Sequence, residues 1–309
     1  TDEEKDHILG PQANLWTEYI KEQWHIEYMV LPRLAAMAEV QWMEPDNKDY
    51  DEFLERLPRM LKLYDKYEYT YATHVFDVDG KFYPNFDTNR LDVEFSTIDG
   101  APVYFTLDGS TPTEASKRYD GKLSIKEDAE LVAAAIRDGK TSKLLIENVS
   151  VNKATFKPVE LLSTPARSYE FSGAGMLVDG LKGKNTNYRT GRWIGFQGQD
   201  MVLVIDMLQP TEVSTLEINN VVVTGDWIFD ASEIIIESSG DNKTFTEMLT
   251  EKIVDENEDH WSAISTHTLS FDTVTARYFK VIVKPGIMPE WHPGRGNRAF
   301  IFIDEVSLG

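Results

Sequence analysis

Four Asp-Gly pairs, Asp99-Gly100, Asp108-Gly109, Asp120-Gly121 and Asp138-Gly139, cut the middle of the chain at strand-length intervals. Glycine accepts the positive φ that a tight hairpin demands, and an aspartate side chain closes the turn on its own backbone. Between these pairs lie short β-rich runs: Val103-Tyr104-Phe105-Thr106, Leu123-Ser124-Ile125 and Leu131-Val132-Ala133-Ala134-Ala135-Ile136. Such a rhythm leaves room for local antiparallel pairing and little else. It predicts a small antiparallel sandwich over 76–156, joined to what precedes it near Asp79-Gly80 and Pro84.

The flanking regions have other textures. Longer strand-like runs fill 157–309: Met201-Val202-Leu203-Val204-Ile205, Glu233-Ile234-Ile235-Ile236-Glu237, Arg277-Tyr278-Phe279-Lys280-Val281-Ile282-Val283 and Phe300-Ile301-Phe302-Ile303. They predict a second sandwich of jelly-roll type, with Lys157-Pro158 and Ser163-Thr164-Pro165 as the hinge before it. Residues 1–75 read as helical instead. Tyr28, Leu31, Ala35, Ala38 and Trp42 recur at helical spacing, with Pro32 kinking or restarting the helix. Phe53, Leu57, Met60, Leu61 and Tyr64 form a second stripe, interrupted at Pro58. Ahead of both, Ile8-Leu9-Gly10 and Ala13-Asn14-Leu15-Trp16 read as a buried strand with its loop, making one βα unit. No period of repeat length recurs, which speaks against a solenoid.

Composition narrows the function classes. With 31 Lys+Arg against 52 Asp+Glu the formal charge is −21, so nucleic-acid backbones and anionic membranes are repelled. The absence of Cys rules out disulfides, thiolate zinc sites and cysteine nucleophiles. No apolar run is long enough to span a bilayer as a helix. The chain opens Thr1-Asp2-Glu3 without an initiator Met or a signal-peptide pattern, and reads as part of something longer.

Two dense motifs decide the family. Gly10-Pro11-Gln12-Ala13-Asn14-Leu15-Trp16-Thr17-Glu18-Tyr19 is followed by Glu27-Tyr28-Met29-Val30-Leu31-Pro32-Arg33-Leu34 and Ala38-Glu39-Val40-Gln41-Trp42. Together they resemble the last βα unit of the β-N-acetylhexosaminidases, glycoside hydrolase family 20, over about 70 residues. Val103-Tyr104-Phe105-Thr106-Leu107-Asp108-Gly109-Ser110-Thr111-Pro112-Thr113 resembles the small sandwich that often follows such a barrel. Trp193-Ile194-Gly195-Phe196, Asp226-Trp227-Ile228-Phe229 and Phe302-Ile303-Asp304-Glu305-Val306 are similar to the discoidin (coagulation-factor C-type) fold shared with some carbohydrate-binding modules. The implied architecture is mainly β: a remnant of a (β/α)8 barrel over 1–75, an Ig-like sandwich over 76–156 and a discoidin-like sandwich over 157–309.

The resemblance implies a parent that releases terminal N-acetylhexosamine from glycans by substrate-assisted retaining hydrolysis. The substrate's acetamide oxygen attacks the anomeric carbon while a glutamic acid protonates the leaving oxygen. Trp16 and Glu18 would then wall the sugar pocket and bind its outer hydroxyls. On composition alone, a packed Trp with a surface Glu is the plainer reading, and the motif reverses it. The acid itself is expected in an Asp-Glu pair that this chain lacks. Asp2-Glu3 sits in a polar run, Asp51-Glu52 opens a helix where acids suit the dipole, and Asp304-Glu305 closes a strand. These residues are therefore expected to hydrolyse nothing by themselves, and no catalytic cofactor is implied.

Other sites stay open between readings. His7, His25, His74, His260, His267 and His292 include no i, i+4 pair, so zinc is not indicated. Discoidin-type modules often carry calcium on loop carbonyls and one or two carboxylates. The resemblance points to Asp179 and Glu305, although the 180–187 loop is longer than expected; a turn-forming Asp179 and a surface Glu305 fit equally well. Trp291, His292, Arg295 and Asn297 make a loop with an exposed ring, guanidinium and amide, able either to bind glycan or to pack against the barrel. Arg192-Trp193 and Asp226-Trp227 are the other aromatic loop candidates, although Trp193 and Trp227, beside apolar residues, read more simply as plugs of the sandwich ends. A purely glycan-binding or structural role is the alternative to the hydrolase. Stripes on the first two helices, shaped to cover a barrel, predict self-association or swapped packing through 1–75. Glycan-degrading enzymes with such modules are exported, which sets the expected compartment.

Overall fold

The computed structural model describes residues 1–5, 7, 8, 10–254 and 261–309. Four helices open it: α1 (Asp2–Lys5), α2 (Gln23–Val30), α3 (Arg33–Trp42) and α4 (Tyr50–Lys66). Pro32 lies between α2 and α3 and restarts the helix, as its fixed φ and missing N–H dictate. Pro58, by contrast, sits inside a continuous α4, where Asp49 caps the first turn by accepting from the backbone N–H of Asp51 and Glu52. Leu57 is the buried residue of α4, while α2 and α3 bury none completely.

The strand expected ahead of α2 does not form among the described residues. Residues 10–16 have no regular structure, Ile8 and Leu15 are exposed, and Leu9 lies outside the described residues. A strand needs a neighbour for its backbone N–H and C=O groups, and this segment has none beside it. The tie that holds it is Gln41 Nε2 donating to the Pro11 carbonyl at 3.0 Å.

The small sandwich is built from two sheets. The first has order β1-β2-β5, with β1 Asp79–Asn85, β2 Arg90–Ser96 and β5 Leu123–Ile125. In the second, β4 (Lys117–Arg118), β3 (Val103–Thr106), β6 (Ala129–Arg137) and β7 (Lys140–Thr141) follow in order, and β8 (Leu145–Val149) also pairs with β6. Asp79-Gly80 and Pro84, read from the sequence as a join, belong to β1 itself. Pro84 is tolerated because β1 is an edge strand with β2 as its one partner. Between the sheets Leu91, Val93, Val103, Phe105, Leu131 and Ala133 pack as one core. Glycines of the four Asp-Gly turns all take positive φ, as the hairpins require.

The last domain carries a seven-stranded antiparallel sheet of order β10-β15-β11-β14-β12-β13, with β9 on β11. Its strands are β9 Val159–Leu161, β10 Ile194–Gln197, β11 Met201–Val223, β12 Ala231–Ser239, β13 Thr246–Lys252, β14 Ser262–Pro285 and β15 Phe300–Leu308. A strand as long as β11 cannot stay flat. Register shifts against β14, between Asp206 and Thr211 and between Val213 and Thr215, bend it so that Leu203 and Ile205 share a core with Leu216 and Ile218. The expected hinge is partly strand: β9 lies between Lys157-Pro158 and Ser163-Thr164-Pro165 and pairs with β11. The chain is thus mainly β, two sandwiches preceded by a short helical region.

Candidate functional site

At the N-terminal region, Trp16 is 75% exposed and Glu18 is exposed beside it. Neither belongs to a strand, so strand pairing does not set their relative orientation. A cleft of about 930 Å³ lies nearby, bounded by Pro11, Ala13, Leu34, Met37, Val40 and Trp42. Its walls are open and mixed, with Gln12, Gln41, Glu44 and Lys48 among the apolar side chains.

Two of the acid pairs elsewhere lie in contrasting surroundings. Asp51 and Glu52 are part of the exposed first turn of α4. Asp304 and Glu305 in β15 are fully buried. Burial pushes the Asp304 carboxyl up to about 7, against accepted hydrogen bonds from Gly183 and Glu305 N–H that pull it down. Loss of water raises both Glu305 and Asp179; repulsion from Asp179 and Asp304 adds to the rise at Glu305, while at Asp179 the Leu181 N–H and the Arg192 charge oppose it. Both Glu305 oxygens accept from the Gly180 N–H, at 3.3 and 3.2 Å, and Oε1 also accepts from Asn152 Nδ2. Asp179 Oδ1 accepts from Leu181 N–H at 2.9 Å. Asp179 caps the turn to Leu181, as one of the two sequence readings had it, but Glu305 is no surface acid.

Asp179 and Glu305 are the residues that could hold a hard cation. Both are buried and accept hydrogen bonds from neutral N–H groups, and the Arg192 charge also acts on Asp179. Among the described residues no three His, Asp or Glu side chains converge into a metal cage. An ion here would therefore complete its shell with backbone carbonyls and water, which is ordinary for calcium. Among the described residues zinc has no comparable donor set, and His260 lies outside them.

The glycan candidates are rearranged relative to the sequence reading. His292 does not face solvent: it is 2% exposed, its Nδ1 accepts from Gly294 N–H at 3.1 Å, and Nε2 lies 3.0 Å from the Thr224 carbonyl. Because Nδ1 accepts, the proton sits on Nε2 and is donated to that carbonyl. Trp291 is half-buried and packs against the Phe229, Met288 and Ala299 cluster. Arg295 and Asn297 are exposed, but Asn297 Nδ2 is spent on the Gly294 carbonyl. Trp193 is wholly buried, as expected of a plug. Trp227 is not a plug but the exposed ring of this end, 42% accessible and held at a positive φ of 68°.

Its seat explains why. Gly294 passes so close beneath the indole that a Cβ there would lie 2.5 Å from it, and the His292 ring meets it edge-on at 5.2 Å. The loop drawn from the sequence as a binding platform is therefore the support for another platform. Alongside, Asp226 accepts from the Tyr188 hydroxyl at 3.0 Å, and Arg189 donates to that hydroxyl and lies over the Tyr188 ring. A flat indole next to a carboxylate and a guanidinium is the chemistry that grips a pyranose. Sequence reasoning paired Asp226 with Trp227 but missed Arg189 and Tyr188, which only the fold brings to them.

Comparison with known proteins agrees with this division. Residues 1–45 match the model of the glycosyl hydrolase family 20 catalytic domain, 86–147 the chitobiase/beta-hexosaminidase C-terminal domain, and 163–299 the F5/8 type C domain. A beta-hexosaminidase of Porphyromonas gingivalis is 29% identical over 153 residues, covering 48% of this chain and 19% of that protein. A beta-N-acetylhexosaminidase of Cellulomonas fimi is 36% identical over 61 residues, covering 20% and 12%. The chain thus spans a fifth or less of these relatives in the matched regions. Among solved structures, chitosan-binding module 1 of a Paenibacillus chitosanase/glucanase aligns over 51% of this chain and 98% of that one, with TM-score 0.34 and 16% identity. A Streptococcus pneumoniae fucose binding module aligns over 51% and 94%, with TM-score 0.34 and 17% identity. The chain thus matches, in order, a family 20 glycosyl hydrolase catalytic segment, a chitobiase/beta-hexosaminidase C-terminal domain and an F5/8 type C domain.

Proposed function

We propose that this chain belongs to an exo-acting β-N-acetylhexosaminidase that releases terminal N-acetylhexosamine by substrate-assisted retaining hydrolysis. The observation that carries the reading is the exposed Trp16 and Glu18 within the segment matched to a family 20 catalytic domain. An indole face suits the C–H side of a pyranose, and a carboxylate accepts from two neighbouring hydroxyls. In this reading the two residues bind and orient the terminal sugar, while proton donation falls to a carboxylic acid outside these 309 residues. The acid pairs present support that division, being either solvated at a helix start or sealed in a core. The chromogenic β-glycoside of N-acetylglucosamine is expected to show no turnover with this chain. Turnover here, abolished by Asp304→Asn or Glu52→Gln, would overturn the assignment of the acid.

Glycan binding by the last domain is the second part, favoured by the Trp227, Asp226 and Arg189 platform. Calorimetry with N-acetylglucosamine oligosaccharides is expected to give binding that Trp227→Ala weakens at least tenfold. Retention of affinity in that variant, with loss in Trp291→Ala, would return the site to the neighbouring loop. Calcium on Asp179 and Glu305 belongs to the same proposal; it would supply the charge that the two buried carboxylates lack. So does export, since the glycans such enzymes meet lie outside the cytoplasm; no described helix is long and apolar enough to cross a membrane. The apolar surface around Trp16, Tyr19 and Trp42 further implies self-association of the chain. Sedimentation as a monomer at every concentration would remove that last element.

A further inference from the structure

The exposed ring of Trp227 has a counterpart in Phe171. Among the described aromatic residues Phe156, Phe171 and Trp227 take a positive φ, of 60°, 45° and 68°. A bulky side chain rarely adopts this region, because its Cβ crowds the neighbouring carbonyl. Packing accounts for Phe156, which is buried. It does not account for Phe171 and Trp227, whose side chains are 43% and 42% exposed. Each of the two carries backbone strain while holding an apolar ring in water, a combination that marks a contact surface.

One floor supports both rings. Tyr169 meets Tyr188 edge-on at 5.8 Å and Phe302 at 4.8 Å, and Tyr188 lies 4.9 Å from Phe302. Phe302 is wholly buried, so this floor belongs to the packed core of the sandwich. From it the Tyr188 hydroxyl reaches Asp226, the residue before Trp227. Phe171 lies 6.4 Å from Tyr169 and runs along Gly191, where a Cβ would come within 3.6 Å of its ring. The exposed Arg189 covers Tyr188, the ring through which the two ends are joined. Phe171 also adjoins a cleft of about 250 Å³, lined by Ser172, Thr190, Gly191 and Arg192 and closed on the far side by Phe82 and Pro84 of β1. Pockets for drug-sized ligands begin at about 300 Å³, so this cleft suits something smaller, such as one sugar ring. Its two hydroxyls can donate to and accept from sugar hydroxyls. Charges along the track are matched: Asp226 faces Arg189 through the Tyr188 hydroxyl, and the Arg192 charge acts on Asp179. Matched charges favour a neutral ligand.

We propose that Trp227, Arg189 and Phe171 form one extended track for a neutral oligosaccharide, with Trp227 and Phe171 as separate stacking subsites. The inference rests on the glycan-binding reading of the Trp227 platform and goes beyond it, since that reading needs a single sugar ring. Once one ring is seated on Trp227, stacking of a later ring on Phe171 is intramolecular, so affinity rises with chain length. The shared floor of Tyr169 and Tyr188 holds both subsites in place beforehand, which limits the freedom lost on binding.

Calorimetry of the whole chain with N-acetylglucosamine and its linear oligomers of increasing length tests the track. Phe171→Asn removes the ring and suits the positive φ, so the fold is kept while stacking is lost. The expected result is an affinity that rises about tenfold from the single sugar to the longest oligomer, and a Phe171→Asn variant that loses the rise but holds the single sugar within about twofold. Phe171→Tyr keeps a ring and is expected to keep the rise. Trp227→Ala is expected to weaken every length. Binding that does not depend on length would overturn the track and leave the Trp227 platform standing. Absence of binding at every length would overturn both. A rise that persists in Phe171→Asn, or is lost in Phe171→Tyr, would remove Phe171 as a stacking subsite. Should Phe171→Asn fail to fold, the length dependence of the unsubstituted chain and of Phe171→Tyr still decides.

Discussion

Residues 1–75 and the sandwiches that follow use similar side chains to opposite ends. In the first region Trp16, Tyr19, Trp24 and Trp42 stand largely in water, and among its described residues Leu57 and Ala72 are the fully buried apolar ones. In the last domain Trp193, Phe196, Phe279 and Phe302 are wholly enclosed. Helical periodicity creates an apolar stripe, but the stripe stabilises a helix only when something covers it. Sheet pairing brings its own cover, because each added strand carries a face across the core. One region is therefore locally specified and weakly held, the other specified by contacts distant in sequence and firmly held.

Matched tryptophan truncations would break this comparison most directly. Trp193 fills a cluster with Tyr188, Val221, Ile228 and Phe302 and presses on Gly183 so tightly that no Cβ would fit. Trp193→Ala is expected to destabilise the last domain by about 3–5 kcal/mol. Trp42→Ala, at a position 88% exposed, should fall within about 0.5 kcal/mol of zero. Denaturant unfolding followed by tryptophan fluorescence and circular dichroism measures both. Equal losses would mean that the first region is covered after all.

The same contrast explains what the sequence disclosed. β3 and β5 have the bounds read from the Asp-Gly rhythm, because hairpin turns are local chemistry. The restart at Pro32 was equally local. The strand expected over 8–16 failed because strand formation depends on a partner that no local pattern reveals. Pairing of Val159–Leu161 with β11 was hidden for the same reason, between two prolines that suggested a free hinge. At the candidate glycan site, Trp227 sits beside Ile228 and Phe229 and so resembled core. Its positive φ and its seat on Gly294 turn the ring outward while those two neighbours point in. Trp291, amid Gly, Pro and charge, looked exposed, yet the fold places Phe229 and Met288 against it.

Buried acids sharpen the comparison from the side of charge. Carboxylates of residues 1–75 are mostly solvated, whereas Asp304 is sealed and raised from 3.8 to about 7. A folded-state value above the unfolded one means that the native state holds its proton while the unfolded state has lost it. Stability from this group is therefore complete below the unfolded value and declines as pH rises, with the loss complete once pH passes about 7. In chelator, Tm of the last domain is expected to drop by several degrees between pH 4.5 and 7.5. Millimolar calcium should recover much of that at the upper end, since an ion on Asp179 and Glu305 removes the repulsion they exert. A Tm that rises with pH across this range in chelator would contradict the assigned burial.

The smallest expected effect tests whether the helical region has any stability of its own. Among the longer helices α4 alone has a side-chain cap: Asp49 Oδ1 accepts from Asp51 N–H at 2.9 Å and Glu52 N–H at 3.0 Å. Neither α2 nor α3 has such a bond. Asp49→Ala removes the cap at a typical cost of about 1 kcal/mol. If α4 folds as a marginal unit, that cost is a large share of its stability, and amides of 50–66 should exchange several-fold faster while those of β11 and β14 keep their rates. Unchanged exchange in α4 would show that Leu57 and the Arg56–Glu39 ion pair, not the cap, hold the helix in place. Acceleration spreading into the sandwiches would show instead that the two regions unfold together, and the division drawn between them would fail.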